Sequence, residues 1–480
     1  MDYLVQPTLT RGDAFANRSD RTDPASSSRA VRVLSSTIFT SLLVVACLAA
    51  IPYGAVEPWW IAVFECVIFL VAILSVLEGF ISKSWAWHHL RLAAPIVVLL
   101  LFILLQSWPM FSTNTGAVKN AISADPYTTR LFAIKLFALL VTSLALYRLT
   151  SSKSRLRALV WVVISIGLAS AAFGLLRKNL QQGPGFILPH LPMGDRGFAQ
   201  FINKNHFAFL MEMSLGVALG LLLGEVGRHR RRLVLIPVVG VLWVALIFSN
   251  SRGGIVASLG QLFVLGIFLD PVHYLTKGPA KTAWARFRNL TGGFAVRIFL
   301  IVCFVAFFAY GVKWVGGETV VTNFEMSGTD FSNQATYNHS NTSRKDMWSA
   351  TWRMIKDHPL AGTGFGGYWI AVTKYHNGSG EVTPQQAHND YLELFASGGL
   401  IGAGLSIWFV VLVGKRVRQY LRSRDSFRRA VCLGAVTGIL GIAIHSFVDF
   451  GLHITINALV CTVLLVIATV PVGFDERQTS

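Results

Sequence analysis

Apolar residues run along this chain in stretches of about 20, with polar residues confined mostly to the connections between them. A bilayer core about 30 Å thick is crossed by roughly 20 apolar residues in a helix. By that measure twelve spans are predicted, at 33–51, 58–81, 91–108, 130–149, 157–176, 205–224, 231–249, 252–269, 294–312, 390–413, 429–447 and 452–472. An even number puts both ends of the chain on one side. The expected architecture is all-α and polytopic, with neither an internal repeat nor a separate soluble domain.

Composition agrees with the pattern: of 480 residues 53% are hydrophobic and 14% charged, with a mean hydropathy of +0.54, too apolar for a water-soluble globule of this length. The net charge of +18 does not indicate nucleic acid, because the basic residues come in short bursts between apolar stretches. Most of the 42 Lys and Arg residues fall on alternate connections, including "YRLTSSKSRLR", "GRHRRR" and "GKRVRQYLRSRDSFRR". By the positive-inside rule those connections and both termini are cytoplasmic. The five cysteines lie inside apolar runs without metal-ligand spacing and are expected to be free thiols. The divisions that follow are a disordered cytoplasmic tail at 1–32, five helices over 33–176, helices six to nine over 177–312, a long periplasmic loop at 313–389, three helices over 390–472 and a cytoplasmic tail at 473–480.

The 313–389 loop is too long for a simple connection, and long ordered loops tend to carry function. Within it Ser343 and Asp346 resemble a capping box and His358-Pro359 a stop, which predicts a helix over 344–357. Its apolar stripe holds Met347, Trp348, Thr351, Trp352 and Ile355, joined by Arg344, while Arg353 projects the opposite way. Such a helix is expected to lie along the outer membrane interface with its aromatic side chains down. "GTGFGG" at 362–367 fits a dinucleotide-binding pattern, but no strand precedes it and it faces outward; a flexible turn is the expectation.

Polar outliers collect at one face of the membrane: "FINKNHFAF", "SNSRGG", Arg344, "QAHNDY" and "HSFVDFGLH". His388, just outside the tenth span, is placed where an imidazole can take a proton near neutral pH; alternatively, Asn389 or Asp390 caps the helix and His388 rests at the interface. Arg252 opens the eighth span, where its guanidinium and the free N–H groups of a helix start can meet one anion, unless it is an arginine snorkelling at the boundary. His445, Asp449 and His453 are spaced i, i+4, i+8, a metal-like spacing on a continuous helix, but Gly451 interrupts it and no metal is expected. Asn205 and His206 read as a helix start, and Glu212 is unusually deep for a carboxylate. Trp348 and its aromatic neighbours suit either sugar stacking or an interfacial belt.

These motifs resemble the O-antigen ligase and polymerase family of bacterial surface-glycan assembly. The ligase signature is a histidine followed by Asn, Ser or Gln, nine residues, then Gly-x-x-Gly; here His388-Asn389 precedes "DYLELFASG" and "GLIG", with Gly399 and Gly402 in place. "SNSRGG", "SRKDMW…HPLAGTGFG", "INKNHFAF" and "HSFVDFGLHITINA" are similar to the family too, so that the resemblance covers about 195–460. It implies a GT-C-like inverting glycosyltransferase of the bacterial inner membrane that needs no metal or other cofactor. Its donor would be a glycan on undecaprenyl pyrophosphate at the periplasmic face. Its acceptor would be a hydroxyl of lipid A core, for a ligase, or of a growing glycan, for an O-antigen or exopolysaccharide polymerase. On that reading His388 activates the acceptor and Arg252 and Arg344 hold the pyrophosphate. Asn389, Asp390 and Glu393 position sugar hydroxyls, and Asn205, His206, Trp348, His445 and Asp449 complete the substrate site. A secondary transporter using Lys135, Glu212 and Glu393, or a non-catalytic scaffold, are the competing readings.

Overall fold

The computed structural model describes residues 29–82, 90–111, 118–119, 121–183, 185–192, 197–224, 229–268, 302, 344–376 and 385–472. They form α1 (Arg29–Ala49), α2 (Pro58–Ser82), α3 (Leu90–Gln106), α4 (Pro126–Leu149), α5 (Lys153–Leu180), α6 (Lys204–Gly224), α7 (His229–Phe248) and α8 (Arg252–Phe268). The second half holds α9 (Arg344–Asp357), the single turn α10 (Tyr368–Ala371), α11 (Asp390–Leu421), α12 (Ser426–His445) and α13 (Thr455–Thr469). A two-residue antiparallel pairing, Met110–Phe111 with Val118–Lys119, is the only ladder among the described residues. Among the described residues seven helices, α1, α2, α4, α5, α6, α11 and α12, are long and apolar enough to cross a membrane, and α3, α7 and α13 are shorter apolar helices. The expected ninth span, 294–312, lies outside the described residues apart from Val302.

Helix starts follow local chemistry. Asp125 caps α4 by accepting from Thr128 N at 3.1 Å, with Pro126 as the first helical residue, and Asp425 caps α12 by accepting from Phe427 N at 2.8 Å. At the centre stands α6, buried from His206 to Leu221. It crosses α12 on a stripe of small residues: a methyl group at Gly216 would lie 2.3 Å from Gly438 N, and one at Gly220 would lie 2.3 Å from Gly434 Cα. Side-chain-free contacts of this kind let helix backbones meet closely in lipid. One turn before Gly216, in register with the same stripe, α6 carries Glu212, and the facing end of α12 carries His445.

Helix α11 is broken at Gly399 (φ 59°, ψ −158°), inside the expected tenth span. The polar groups freed by the break pair with the segment before α10. Thr363 N donates to Ala396 O (2.9 Å) and Gly364 N to Ser397 O (3.0 Å), while Leu400 N donates to Pro359 O (2.9 Å) and Ile401 N to Leu360 O (3.1 Å). Gln106, at the end of α3, fastens both strands of this junction by donating to Ala361 O at 2.6 Å and Ser397 O at 2.9 Å. So the stretch 362–367, expected to be a flexible turn, is instead packed, because its glycines admit backbone where side chains would collide. A Cβ on Gly399 would sit 2.4 Å from the carbonyl carbon of Leu360, in a left-handed conformation that L side chains resist. Gly399→Val should therefore destabilise the protein by roughly 2–5 kcal/mol, read as a lower midpoint of thermal unfolding in detergent; an unchanged midpoint would contradict this packing.

Helix α9 begins and ends where the sequence predicts, and it buries one face against the rest of the protein. Met347, Ala350, Thr351, Met354 and Ile355 are buried, whereas Trp352 is 53% exposed with Lys356 over its ring. The buried face packs into a small cluster with Tyr368, Val372, Ala387 and Ala396, which docks α9 and α10 onto the start of α11.

Candidate active site

The polar outliers meet where α6, α8, α11 and α12 begin or end. His388 adopts a left-handed backbone (φ 48°), costly for a residue with a Cβ and hence a conformation that its surroundings must impose. Its neighbours do so. Ala387 N donates to Glu393 Oε2 at 2.8 Å and Ala387 O accepts from Trp348 Nε1 at 3.1 Å. On the other side Asn389 caps α11, its Oδ1 accepting from Tyr391 N and Leu392 N at 3.0 Å each and its Nδ2 donating to Phe447 O at 2.9 Å. Asp390 N donates to Ser446 O at 3.0 Å, and Ser446 Oγ returns a bond to Asp390 Oδ2 at 2.7 Å.

Held in this way, the imidazole of His388 places Nδ1 3.3 Å from Oδ1 of Asp449 and stays 30% exposed, while the carboxylate is fully buried. Asp449 also accepts from Phe450 N (2.9 Å) and from Asn205 Nδ2, and Asn205 Oδ1 accepts from Ser251 Oγ at 2.8 Å. Ser251 immediately precedes Arg252, the half-buried first residue of α8. A continuous run of contacts thus joins His388 to the start of α8. Burial alone would raise the Asp449 carboxyl, but the hydrogen bond and charge of His388, with His206 and His445 beside it, hold it well below the usual carboxylate range.

Phe450 organises the imidazoles, meeting His388, His206 and His453 edge-on at centroid distances of 4.7, 5.0 and 6.0 Å. His453 Nε2 lies 3.4 Å from Glu393 Oε1 and 3.7 Å from Asp390 Oδ1, and Lys135 donates to His453 O at 2.6 Å. Because α12 ends at His445, the spacing of His445, Asp449 and His453 does not bring them to one face. His445 turns to Glu212, Asp449 to His388 and His453 to the start of α11. His445 Nδ1 and Glu212 Oε1 are 2.7 Å apart, both fully buried, with the imidazole stacked on Phe209 at 4.2 Å. Gly253, next to Arg252, packs on that imidazole: a Cβ there would lie 2.3 Å from His445 Nε2.

Arg344 opens α9 one turn before Trp348, whose indole bonds the residue preceding His388; the Arg344 side chain lies outside the described residues. Arg353 is on the exposed face and donates to Tyr375 O. Sequence reasoning singled out each of these groups but not the pairing of Glu212 with His445, nor Ser251 and Phe450 as links. One signal was present for the first: Glu212, Gly216, Gly220 and Gly224 recur every four residues, as do Gly434 and Gly438 on the partner helix.

Residues 237–407 match the family described as O-Antigen ligase. No curated protein matches the chain. The matched stretch contains Arg252, Arg344 and His388, while Asn205, Glu212, His445 and Asp449, which touch or flank them, lie outside it.

Proposed function

We propose, from the match of residues 237–407 to the O-antigen ligase family, that this membrane protein is an inverting glycosyltransferase that moves a glycan from undecaprenyl pyrophosphate to an acceptor hydroxyl at the periplasmic face of the bacterial inner membrane. The observation that carries the reading is the His388–Asp449 contact in a buried polar network that reaches the start of α8. With Nδ1 facing an anion, the protonated ring nitrogen is Nδ1, and Nε2 keeps the lone pair. Nε2 takes the proton of the acceptor hydroxyl as its oxygen attacks the anomeric carbon, and Asp449 stabilises the imidazolium that forms. The bond from that carbon to the pyrophosphate breaks on the opposite side. Arg252 and Arg344 receive the growing negative charge, a task that guanidinium forks perform without a divalent ion.

Asn389, Asp390, Glu393 and Trp348 spend their described hydrogen bonds on the backbone around His388, its helix and Ser446, so we assign them to positioning His388 before contacting sugar. Asn205 holds Asp449, while His206 and His445 flank it. Arg344→Ala should lower transfer by at least 100-fold, while Arg353→Ala should keep most of it, given the solvent-side contact of Arg353. Equal tolerance in a transfer assay would remove Arg344 from the site. The reading as a whole is tested by carrier-dependent glycan transfer in proteoliposomes holding the purified protein, with a flux assay alongside; flux without transfer would favour a transporter. In cells, a missing ligase leaves long chains on the carrier and a missing polymerase leaves single repeat units.

A further inference from the structure

Helix α11 starts in the polar cluster at Asp390 and runs for 32 residues, well beyond the roughly 20 that cross the hydrocarbon. The excess lies at its far end, and it is basic. After the break at Gly399, α11 leaves Leu400, Ile407, Trp408 and Val411 between 42% and 63% exposed. Lys415, Arg418 and Arg422 are exposed as well, and the steps of three and four residues that lead to them from Val411 keep them on that same face. One stripe of a single helix thus passes directly from apolar to cationic.

Depth and charge together select what this stripe meets. Leu400 and Val411 are ~16 Å apart along the helix, about the thickness of hydrocarbon in one leaflet. Lys415 lies ~6 Å beyond Val411, at the level of phospholipid headgroups, and Arg418 and Arg422 follow within two further turns. No acid compensates them. Asp425 is the only acidic residue between Leu394 and Val448, and its carboxylate is taken by Lys153 at 2.6 Å and by the backbone at the start of α12. Other cations of this turn have structural tasks: Arg428 donates to Ile467 O and Val470 O at 2.9 Å each, and Arg429 to Ser423 O at 3.3 Å. Lys415, Arg418, Arg422 and Arg424, by contrast, make no hydrogen bond or ion pair among the described residues. The dipole at the end of α11 favours a cation in its last turn, Arg418, but not a row of four. An apolar stripe one leaflet long that ends in uncompensated cations fits an anionic phospholipid, with acyl chains along Ile407, Trp408 and Val411 and the phosphate at Lys415 and Arg418. A soluble acidic protein or a nucleic acid would use the cations alone.

We propose that the exposed stripe of α11 binds an anionic phospholipid in the leaflet opposite the candidate active site, its headgroup held by Lys415, Arg418 and Arg422. The proposal goes beyond the glycan-transfer reading and does not depend on it, since no group of the polar cluster takes part. Purified protein in detergent is titrated with phosphatidylglycerol and with phosphatidylethanolamine of the same acyl chains, and bound lipid is counted by native mass spectrometry. Phosphatidylglycerol should bind at least about tenfold more tightly, and added salt should narrow the difference. Lys415→Gln, Arg418→Gln and Arg422→Gln together should abolish the preference. Arg91→Gln, which removes an exposed cation at the start of α3 on the same side of the bundle, should keep it. The triple variant should unfold at the parent's temperature in lipid-free detergent; if it does not, Arg418→Gln alone, with a loss of about fivefold, carries the test. Equal affinity for the two lipids, an unaltered preference in the triple variant, or an equal loss in Arg91→Gln would overturn the proposal. So would binding of an acidic protein or RNA that the triple variant loses, without any preference between the lipids; the stripe would then belong to a soluble partner.

Discussion

His388→Ala lowers glycan transfer by about 10²–10⁴-fold, the range that loss of a positioned general base produces, while the amount of folded protein in the membrane stays close to that of the unaltered chain. Stability falls only modestly: the buried Asp449 carboxylate loses one partner but keeps Asn205 and Phe450 N, the imidazole itself is 30% exposed, and the neighbouring backbone is fixed by Glu393 and Trp348 at Ala387, Asn389 at the helix start and Ser446 at Asp390. The relief of a left-handed conformation does not apply, since alanine tolerates φ 48° no better than histidine. Asp449→Asn should cost less than loss of the base itself, because the ring stays in place. The measurement is initial rate against pH for the three proteins at matched monodisperse concentration. More than a tenth of the original rate in the alanine variant would take His388 out of the chemistry.

The helices were legible because hydrocarbon thickness imposes their length: α2, α6 and α8 begin and end within about a residue of the apolar runs. Where the helix and the hydrocarbon part company, the sequence misleads. Helix α11 was expected to stop at 413 and continues to Leu421, because Lys415, Arg416 and Arg418 end the apolar run without ending the hydrogen-bonding pattern. The break at Gly399 was hidden for the opposite reason: apolar composition continues through it, and the partners that satisfy the freed carbonyls lie over 30 residues away. The gathering of polar groups on one face could be read from span topology alone. Their pairing could not, since Asn205 and Asp449 or Gln106 and Ser397 meet only once helices cross in three dimensions. Thus Asn389, Asp390 and Glu393 lie together, and their described hydrogen bonds run to Ala387 N, the start of α11 and Ser446, links that local sequence does not encode.

The Glu212–His445 pair calls for the opposite outcome to His388. Its two side chains are fully buried, 2.7 Å apart, where the glycine stripe draws α6 and α12 together. Removing one partner from such a pair leaves the other without compensation in a medium of low dielectric, a cost of about 3–5 kcal/mol. Glu212→Ala should therefore unfold the protein at markedly lower temperature in detergent and leave little of it in the membrane. Glu212→Gln keeps the volume and one hydrogen bond to His445 Nδ1, and should lie between that variant and the unaltered protein. Because Gly253 rests on the same imidazole, with Arg252 as its neighbour, the Gln variant should also lose activity in proportion to how far the start of α8 shifts. The informative comparison is the order of thermal midpoints, with Glu212→Ala lowest, Glu212→Gln intermediate and His388→Ala, whose side chain is partly exposed, nearest the parent. If Glu212→Ala matched the parent, the buried pair would contribute nothing to folding, and the glycine stripe alone would have to account for how α6 and α12 are held in register.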